Sequence, residues 1–197
     1  GVTTVADHHL TWPSGDGVDL ALAVVAAAAE LGARLVFVRG TARDDPEQAA
    51  ASADAIASAL GGDATGMVQV AAGEQVDVEV AAQRYGRRPL ELLDEWGWLA
   101  PDVTLAHLCG VTSAEIATVA AAGVSVTHAP GCDVPMGWGV APAAALADAG
   151  VAVGLGTSGG GSNDAGHLLA DARLALQVAP LVDRPVSARE VLGWATA

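Results

Sequence analysis

Histidines are the residues of this sequence whose type and placement point most directly to chemistry. His8 and His9 follow the first predicted strand, His107 follows the fourth and His128 follows the fifth. Because the carboxyl ends of parallel strands meet at one edge of a sheet, these side chains are expected to share a polar pocket. Neutral imidazoles around a cavity suit zinc, and Asp7 can complete such a set. The alternative for each histidine is a packed, hydrogen-bonded side chain with a purely structural role.

A glycine-rich turn over residues 154–164 is a second candidate site, since it leads into a predicted helix at 164–178. Backbone N–H groups at such a turn can bind an anion. The alternative is a tight turn in which Asn163 or Asp164 caps the helix. Cys109 and Cys132 are predicted to be buried thiols rather than nucleophiles, because no base stands beside them in the sequence.

The elements that would position these side chains alternate regularly. Short β-branched runs predict strands at 2–6, 34–38, 67–71, 103–106, 124–127 and 151–155. Helices are predicted at 18–31, 46–60, 78–85, 89–96, 113–122, 141–149, 164–178 and from 187 onward. The tryptophans at 96, 98 and 138 are expected to pack helices onto the sheet, or Trp138 to line the mouth of a pocket. Apolar strands separated by single helices require a parallel sheet covered on both faces, as in a doubly wound sheet or a (β/α)₈ barrel.

Composition excludes several classes of protein. Hydrophobic residues make up 52% of the 197 residues, which excludes an intrinsically disordered chain. The formal net charge of −14 argues against nucleic acid or an anionic membrane as a partner. Two cysteines are too few for a disulfide framework, so we expect a cytoplasmic protein.

Several segments, in consistent order, resemble deaminases of the amidohydrolase superfamily, in particular the group of 8-oxoguanine deaminase and the atrazine and hydroxyatrazine hydrolases. The segments are residues 1–9, 84–89, 97–103, 105–107, 126–130, 154–156 and 162–164. The resemblance implies a metal-dependent (β/α)₈ hydrolase. Such a barrel usually takes about 250 residues. We therefore expect an incomplete barrel of about six parallel strands in a single domain over 1–197, lacking the family's strands one and five.

The resemblance also implies a site. In the family, a His-X-His pair, a strand-five histidine and a strand-eight aspartate hold one metal, either zinc or iron. His107 matches the strand-six histidine and is the expected catalytic residue, whereas Ser158 stands at the aspartate position and is a poor zinc ligand. Gly131, Cys132 and Asp133 replace the family's Ser-Ser-Asn stretch. We expect the metal not to be retained by this chain, and the substrate pocket to include Asp7, His8, His9, His128 and Trp138.

The resulting hypothesis is a hydrolase or deaminase acting on C–N bonds of a purine- or triazine-like ring, a small aromatic heterocycle, but inactive as this chain alone. The alternative is a non-catalytic pseudoenzyme or barrel fragment. A third hypothesis is a phosphate-binding barrel that uses the glycine turn at 156–161. An open sheet edge where strands are missing predicts self-association.

Overall fold

The computed structural model describes residues 4–9, 12, 15–41, 45–61, 67–74 and 78–196. The chain divides into two compact units, residues 1–77 and 78–197. Each unit holds a three-stranded parallel sheet with helices between its strands. The α/β class is therefore confirmed, and two such sheets fit an incomplete (β/α)₈ barrel.

The first unit contains strands β1 (Thr4–His9), β2 (Arg34–Thr41) and β3 (Val68–Glu74), in the order β1-β2-β3. Its helices are α1 (Val18–Leu31) and α2 (Pro46–Leu60). The core of this unit consists of Ala21, Leu35, Phe37, Ile56 and Leu60, with Trp12 packed against it. These are residues of α1, β2 and α2 whose spacing brings them to one apolar face.

Local signals at the ends of these helices act as the sequence predicts. Gly32 ends α1 in the left-handed conformation, at φ 66°, and its N–H bonds the carbonyls of the last turn. The Asp45 side chain accepts hydrogen bonds from the N–H groups of Glu47 and Gln48, and Pro46 occupies the first helical position. The predicted strand residues 2 and 3 and the loop residue Pro13 lie outside the described residues.

The second unit contains strands β4 (Thr104–Ala106), β5 (Ser125–His128) and β6 (Ala152–Leu155), in the order β4-β5-β6. Its helices are α3 (Val78–Tyr85), α4 (Pro89–Glu95), α5 (Ser113–Ala122), α6 (Pro130–Asp133), α7 (Ala143–Asp148), α8 (Leu168–Val182) and α9 (Ala188–Trp194). Side chains from α5, β5 and α7 form much of its interior, including Val119, Val126 and Leu146, which are almost fully buried.

An ion pair fixes α5 to the start of α4. The Arg88 guanidinium donates to both carboxylate oxygens of Glu115, at 2.6 and 2.9 Å. Burial alone would raise the pKa of Glu115, but hydrogen bonds from Arg88 and Thr112 more than offset it and lower the pKa below its ordinary value. In the sequence, Ser113 and Glu115 give only a partial capping signature. The capping box is formed instead by Thr112, because that motif needs a three-residue spacing to Glu115.

Two other predictions about the second unit are wrong. Helix α8 begins at Leu168 rather than at 164, because the Asn163 side chain bonds Thr157 and Asp171 instead of capping the helix. The glycine-rich turn therefore does not run directly into a helix N-terminus. Trp96 and Trp138 are 48% exposed, so they do not pack helices onto the sheet as core residues do.

Candidate functional site

The polar residues Asp7, His8 and His9 belong to strand β1 itself, whereas the sequence predicts that they follow it. β1 pairs with β2 through His9, with Asp7 opposite Phe37 and His9 opposite Arg39. The predicted strand ends too early because parallel pairing with β2 extends it over polar residues. Since side chains alternate along a strand, Asp7 and His9 share one face of the sheet and His8 faces the other.

His9 lies in an aromatic and charged environment within the first unit. Its Nδ1 is 3.7 Å from an Asp7 carboxylate oxygen. Its ring lies edge-on to Trp12, with 5.2 Å between the centroids, and stacks at 6.4 Å from Phe37. The Arg39 guanidinium lies over the Trp12 ring, 4.5 Å from the ring centroid. The first unit thus places a histidine, a carboxylate and an aromatic surface together at one end of β1.

The second unit brings His107 together with two residues of the β5–α6 connection. The Nδ1 atom of His107 is 2.5 Å from the Asp133 Oδ1 atom, although 26 positions separate the two residues. The Trp138 ring lies edge-on to the imidazole, with 5.3 Å between the centroids. Asp133 is fully buried and His107 is one-third exposed, so the imidazole is anchored on one side and accessible on the other. Such a carboxylate–imidazole pair can orient a histidine for proton transfer.

Two residues of the second unit, His107 and Ser158, have a strained backbone conformation. Within the described part of the chain, His107 and Ser158 are the two non-glycine residues with positive φ, at 58° and 56°. Left-handed backbone costs a non-glycine residue roughly 1–2 kcal/mol, and such strain is concentrated at functional sites. They are the two positions that the sequence resemblance matches to a strand-six histidine and a strand-eight aspartate.

His128 ends β5 and is buried, with 2% of its surface exposed. Its Nδ1 atom has no hydrogen-bond partner among the described residues. Burial lowers the pKa of His128, and the carboxylates of Asp133 and Asp171 oppose the shift without cancelling it. The imidazole is therefore neutral at pH 7.

The lowered pKa of His128 predicts a pH-dependent stability. Below the unfolded-state pKa of about 6.5, the unfolded chain binds a proton that folded His128 does not. The free energy of unfolding should therefore fall as the pH drops from 7 to 5, with His128 contributing at most about 1.4 kcal/mol per pH unit. Urea denaturation at several pH values measures the slope. His128→Phe should flatten it while His167→Phe, at an exposed histidine, should not; equal slopes in all three proteins would refute the assignment.

The two thiols differ in burial. Cys132 is buried and Cys109 is partly buried, and both are free. Burial raises the pKa of the Cys109 thiol to about 12, and the neighbouring Asp133 carboxylate adds to the shift. Cys109 therefore stays protonated at neutral pH, as the prediction of an unreactive thiol requires.

A hydrogen-bond network centred on Asp171 was not predicted from the sequence. Asp171 on α8 is buried and accepts hydrogen bonds from the Gly131 N–H, at 2.9 Å, and from the Asn163 side chain, at 3.0 Å. Asn163 also donates to the Thr157 carbonyl, at 2.9 Å. Asp171 thereby ties the β5–α6 connection to the turn that carries Ser158. The sequence did contain a signal for this residue. Asp171 precedes Ala175 by four positions and Val178 by seven, so it lies on the apolar face of its helix, where a charged residue is unexpected.

Comparison with known proteins gives this geometry a context. The chain is 30% identical to the 8-oxoguanine deaminase of Pseudomonas aeruginosa over 249 residues, covering 100% of this chain and 54% of that enzyme. It is 37% identical over 120 residues to 5-methylthioadenosine/S-adenosylhomocysteine deaminase 2 of Archaeoglobus fulgidus, covering 61% of this chain and 29% of that protein. A mutant atrazine chlorohydrolase from Arthrobacter aurescens, solved with zinc and atraton, matches with a TM-score of 0.86 and 29% identity, over 100% of this chain and 55% of that one. The relatives of this chain are amidohydrolase-superfamily deaminases and triazine hydrolases.

The chain spans about half the length of the 8-oxoguanine deaminase and of the chlorohydrolase. No protein-family model matches it. The alignment with the deaminase is 249 residues long against 197 in this chain, so the deaminase has additional residues within the matched region. Missing segments of an amidohydrolase barrel are consistent with that difference.

Two parts of the metal set that the resemblance implies are missing from these 197 residues. Ser158 has a hydroxyl where the resemblance expects a carboxylate, and its side chain lies on an exposed turn. No His-X-His sequence occurs among the 197 residues. A neutral hydroxyl does not replace a carboxylate as a zinc ligand, so the donor set that the resemblance implies is incomplete among these 197 residues.

In the part of the chain that the structure describes, no helix is both long and apolar enough to cross a membrane.

Proposed function

We propose that this chain carries the substrate-binding part of a metal-dependent amidohydrolase or deaminase that acts on C–N bonds of a purine- or triazine-like ring. The observation that carries the proposal is the His107 imidazole, held by the buried Asp133 carboxylate and set edge-on to the half-exposed Trp138 ring. Relatives named as purine, pterin and triazine enzymes support the substrate class.

His107 is the proposed catalytic residue. Its Nδ1 is engaged by Asp133, which leaves the other ring nitrogen to exchange a proton with a bound heterocycle or water. The Trp138 face is available for stacking against a flat ring, because the side chain is only half-buried. Within the second unit, His128 is a further proposed pocket residue. Within the first unit, Asp7, His8 and His9 are separately proposed as ligand-binding residues.

This 197-residue chain is proposed to be inactive by itself. Hydrolysis in the family uses a metal-activated water, and the family's ligand set is incomplete here. We propose a cytoplasmic location, no nucleic-acid partner because of the net charge of −14, and self-association through sheet edges. The alternative remains a pseudoenzyme or barrel fragment without ligand affinity.

The test separates binding from turnover. The purified chain is titrated with 8-oxoguanine, isoxanthopterin and atraton while tryptophan fluorescence is recorded, and ammonia or alcohol release is measured with added Zn²⁺. We expect quenching by at least one ring compound and no product above the buffer blank.

Two matched variants locate the signal. Trp138→Phe should remove the quenching, whereas Trp98→Phe, at another half-buried tryptophan, should retain it. Failure of all three compounds to bind a folded chain would favour the non-catalytic alternative. Product formation by the isolated chain would overturn the proposed inactivity.

A further inference from the structure

Three potential metal donors lie together in the second unit. The nitrogen of His107, the sulfur of Cys132 and a carboxylate oxygen of Asp133 all lie within 4.8 Å of one another. β4 leads into His107, and α6 supplies the other two residues directly after β5. The group is therefore built by the connections that follow two neighbouring strands.

Burial distinguishes this group from a chance surface cluster. Cys132 is 2% exposed and Asp133 is completely buried, and neither residue is at the surface as scattered acidic groups are. His107 alone is open to solvent, with one-third of its side chain accessible. A cation entering past His107 would meet a sulfur and a carboxylate that are already shielded from water.

An independent observation points to a ligand. The Oδ2 atom of Asp133 is buried and has no hydrogen-bond partner among the described residues, while Oδ1 is taken by His107. Buried polar atoms are nearly always satisfied, and an unpartnered carboxylate oxygen costs free energy. A cation bound at this oxygen would satisfy it.

We propose that His107, Cys132 and Asp133 form a zinc site of this chain, built from a donor set different from that of the amidohydrolase superfamily. Cys132 contributes a thiol and Asp133 a carboxylate beside the His107 imidazole. A sulfur, nitrogen and oxygen set selects zinc over magnesium or calcium. On binding, the Cys132 thiol loses its proton to solvent and its sulfur donates to the metal.

The geometry requires only a small adjustment. Donor atoms around a tetrahedral zinc are separated by about 3.3 to 3.6 Å, given bonds of about 2.0 to 2.3 Å. A contraction of about 1.2 to 1.5 Å from the 4.8 Å limit reaches that spacing. Three protein ligands leave a fourth position for water on the side open to solvent, as in zinc sites that are not purely structural.

Metal binding to the full 197-residue chain tests the proposal directly. The chelator-treated protein is dialysed against Zn²⁺ and its metal content measured, and Co²⁺ is added to a second sample for absorption spectroscopy. We expect one zinc per chain and a thiolate-to-cobalt charge-transfer band. Cys132→Ser and His107→Asn should each weaken zinc binding by about 100-fold or more, since even partners outside the ligand set contribute 10- to 100-fold.

Matched controls use the same substitutions at the exposed His167 and at Cys109, which neighbours Asp133 but is not one of the three proposed ligands. Cys109→Ser should retain one zinc per chain and the thiolate-to-cobalt charge-transfer band. His167→Asn should retain one zinc per chain and the zinc affinity of the parent chain. Circular dichroism verifies that each variant is folded. If Cys132→Ser does not fold, His107→Asn still tests the site, because the His107 side chain is partly exposed and its replacement disturbs the core less.

Three results would overturn the proposal: no stoichiometric zinc in the folded chain, a cobalt spectrum without a thiolate band, or zinc lost on replacing His8 and His9 but kept in Cys132→Ser. Both proposals use His107, but zinc binding and heterocycle binding are measured separately, so the failure of one is distinguishable from the failure of the other. A chain that binds zinc but no heterocycle would keep this site and lose the proposed substrate.

Discussion

Replacing Asp171 with alanine should lower the free energy of unfolding by about 3 kcal/mol, because the Gly131 N–H and the buried Asn163 amide would lose a charged acceptor. Asp171 is 2% exposed, and its two carboxylate oxygens accept from the Gly131 N–H and from the Asn163 amide. The Gly131 backbone lies directly against both side chains, since a Cβ added at Gly131 would be 2.4 Å from the Asp171 Oδ1 atom and 2.6 Å from the Asn163 Nδ2 atom. Urea denaturation followed by circular dichroism measures the loss.

The controls for this prediction separate charge from hydrogen bonding. Asp171→Asn keeps one acceptor for Gly131 but turns an amide toward the Asn163 amide, so a smaller loss is expected. Asp164→Ala, at an exposed aspartate seven residues earlier, should change stability by less than about 0.5 kcal/mol. Hydrogen exchange should speed up in residues 128–133 and 156–163 of Asp171→Ala. An unfolding free energy within 1 kcal/mol of the parent would show that the network contributes little.

Phe37→Ala should have the largest effect in the first unit, a loss of about 3 to 5 kcal/mol. Phe37 is 0% exposed at the centre of β2, and its ring contacts Trp12 edge-on with 6.0 Å between the centroids. Alanine would leave a cavity between the sheet and α1 that the surrounding side chains cannot fill completely. The same ring also supports His9, so the aromatic group at the end of β1 would loosen.

Local and global measurements check this second prediction together. Hydrogen exchange in peptides from β1 and β2 should accelerate, and the urea midpoint should fall. Leu22→Ala, at a half-exposed position on α1, removes a similar amount of apolar surface outside the core and should cost less than about 1 kcal/mol. Equal effects of the two substitutions would contradict the central position of Phe37.

Much of the secondary structure follows from local sequence. Helices α1 and α5 have the predicted bounds, 18–31 and 113–122, and α2 begins at the predicted Asp45 cap and Pro46. These signals act over three or four residues, so they do not depend on the rest of the fold. The parallel α/β class follows in the same way, from apolar runs that alternate with helical periods.

Strand limits and helix starts were less predictable where a distant partner decides them. β1 continues through His9 because β2 provides hydrogen-bonding groups up to Arg39. Helix α8 starts late because Asn163 is held by Asp171 and by the Thr157 carbonyl rather than by its own helix. In both cases a hydrogen bond to another segment replaces the locally expected one.

The sequence by itself determined the class of fold, the order of its elements, and the placement of His107 and His128 at strand ends, because each of these depends on short-range periodicity and capping. Only the tertiary structure decided that Asp133 holds His107, that Asp171 joins two loops, and that His107 and Ser158 adopt left-handed backbone. Contacts between residues 26 or 40 positions apart arise from how strands and helices pack, and no local pattern of residue types encodes that packing.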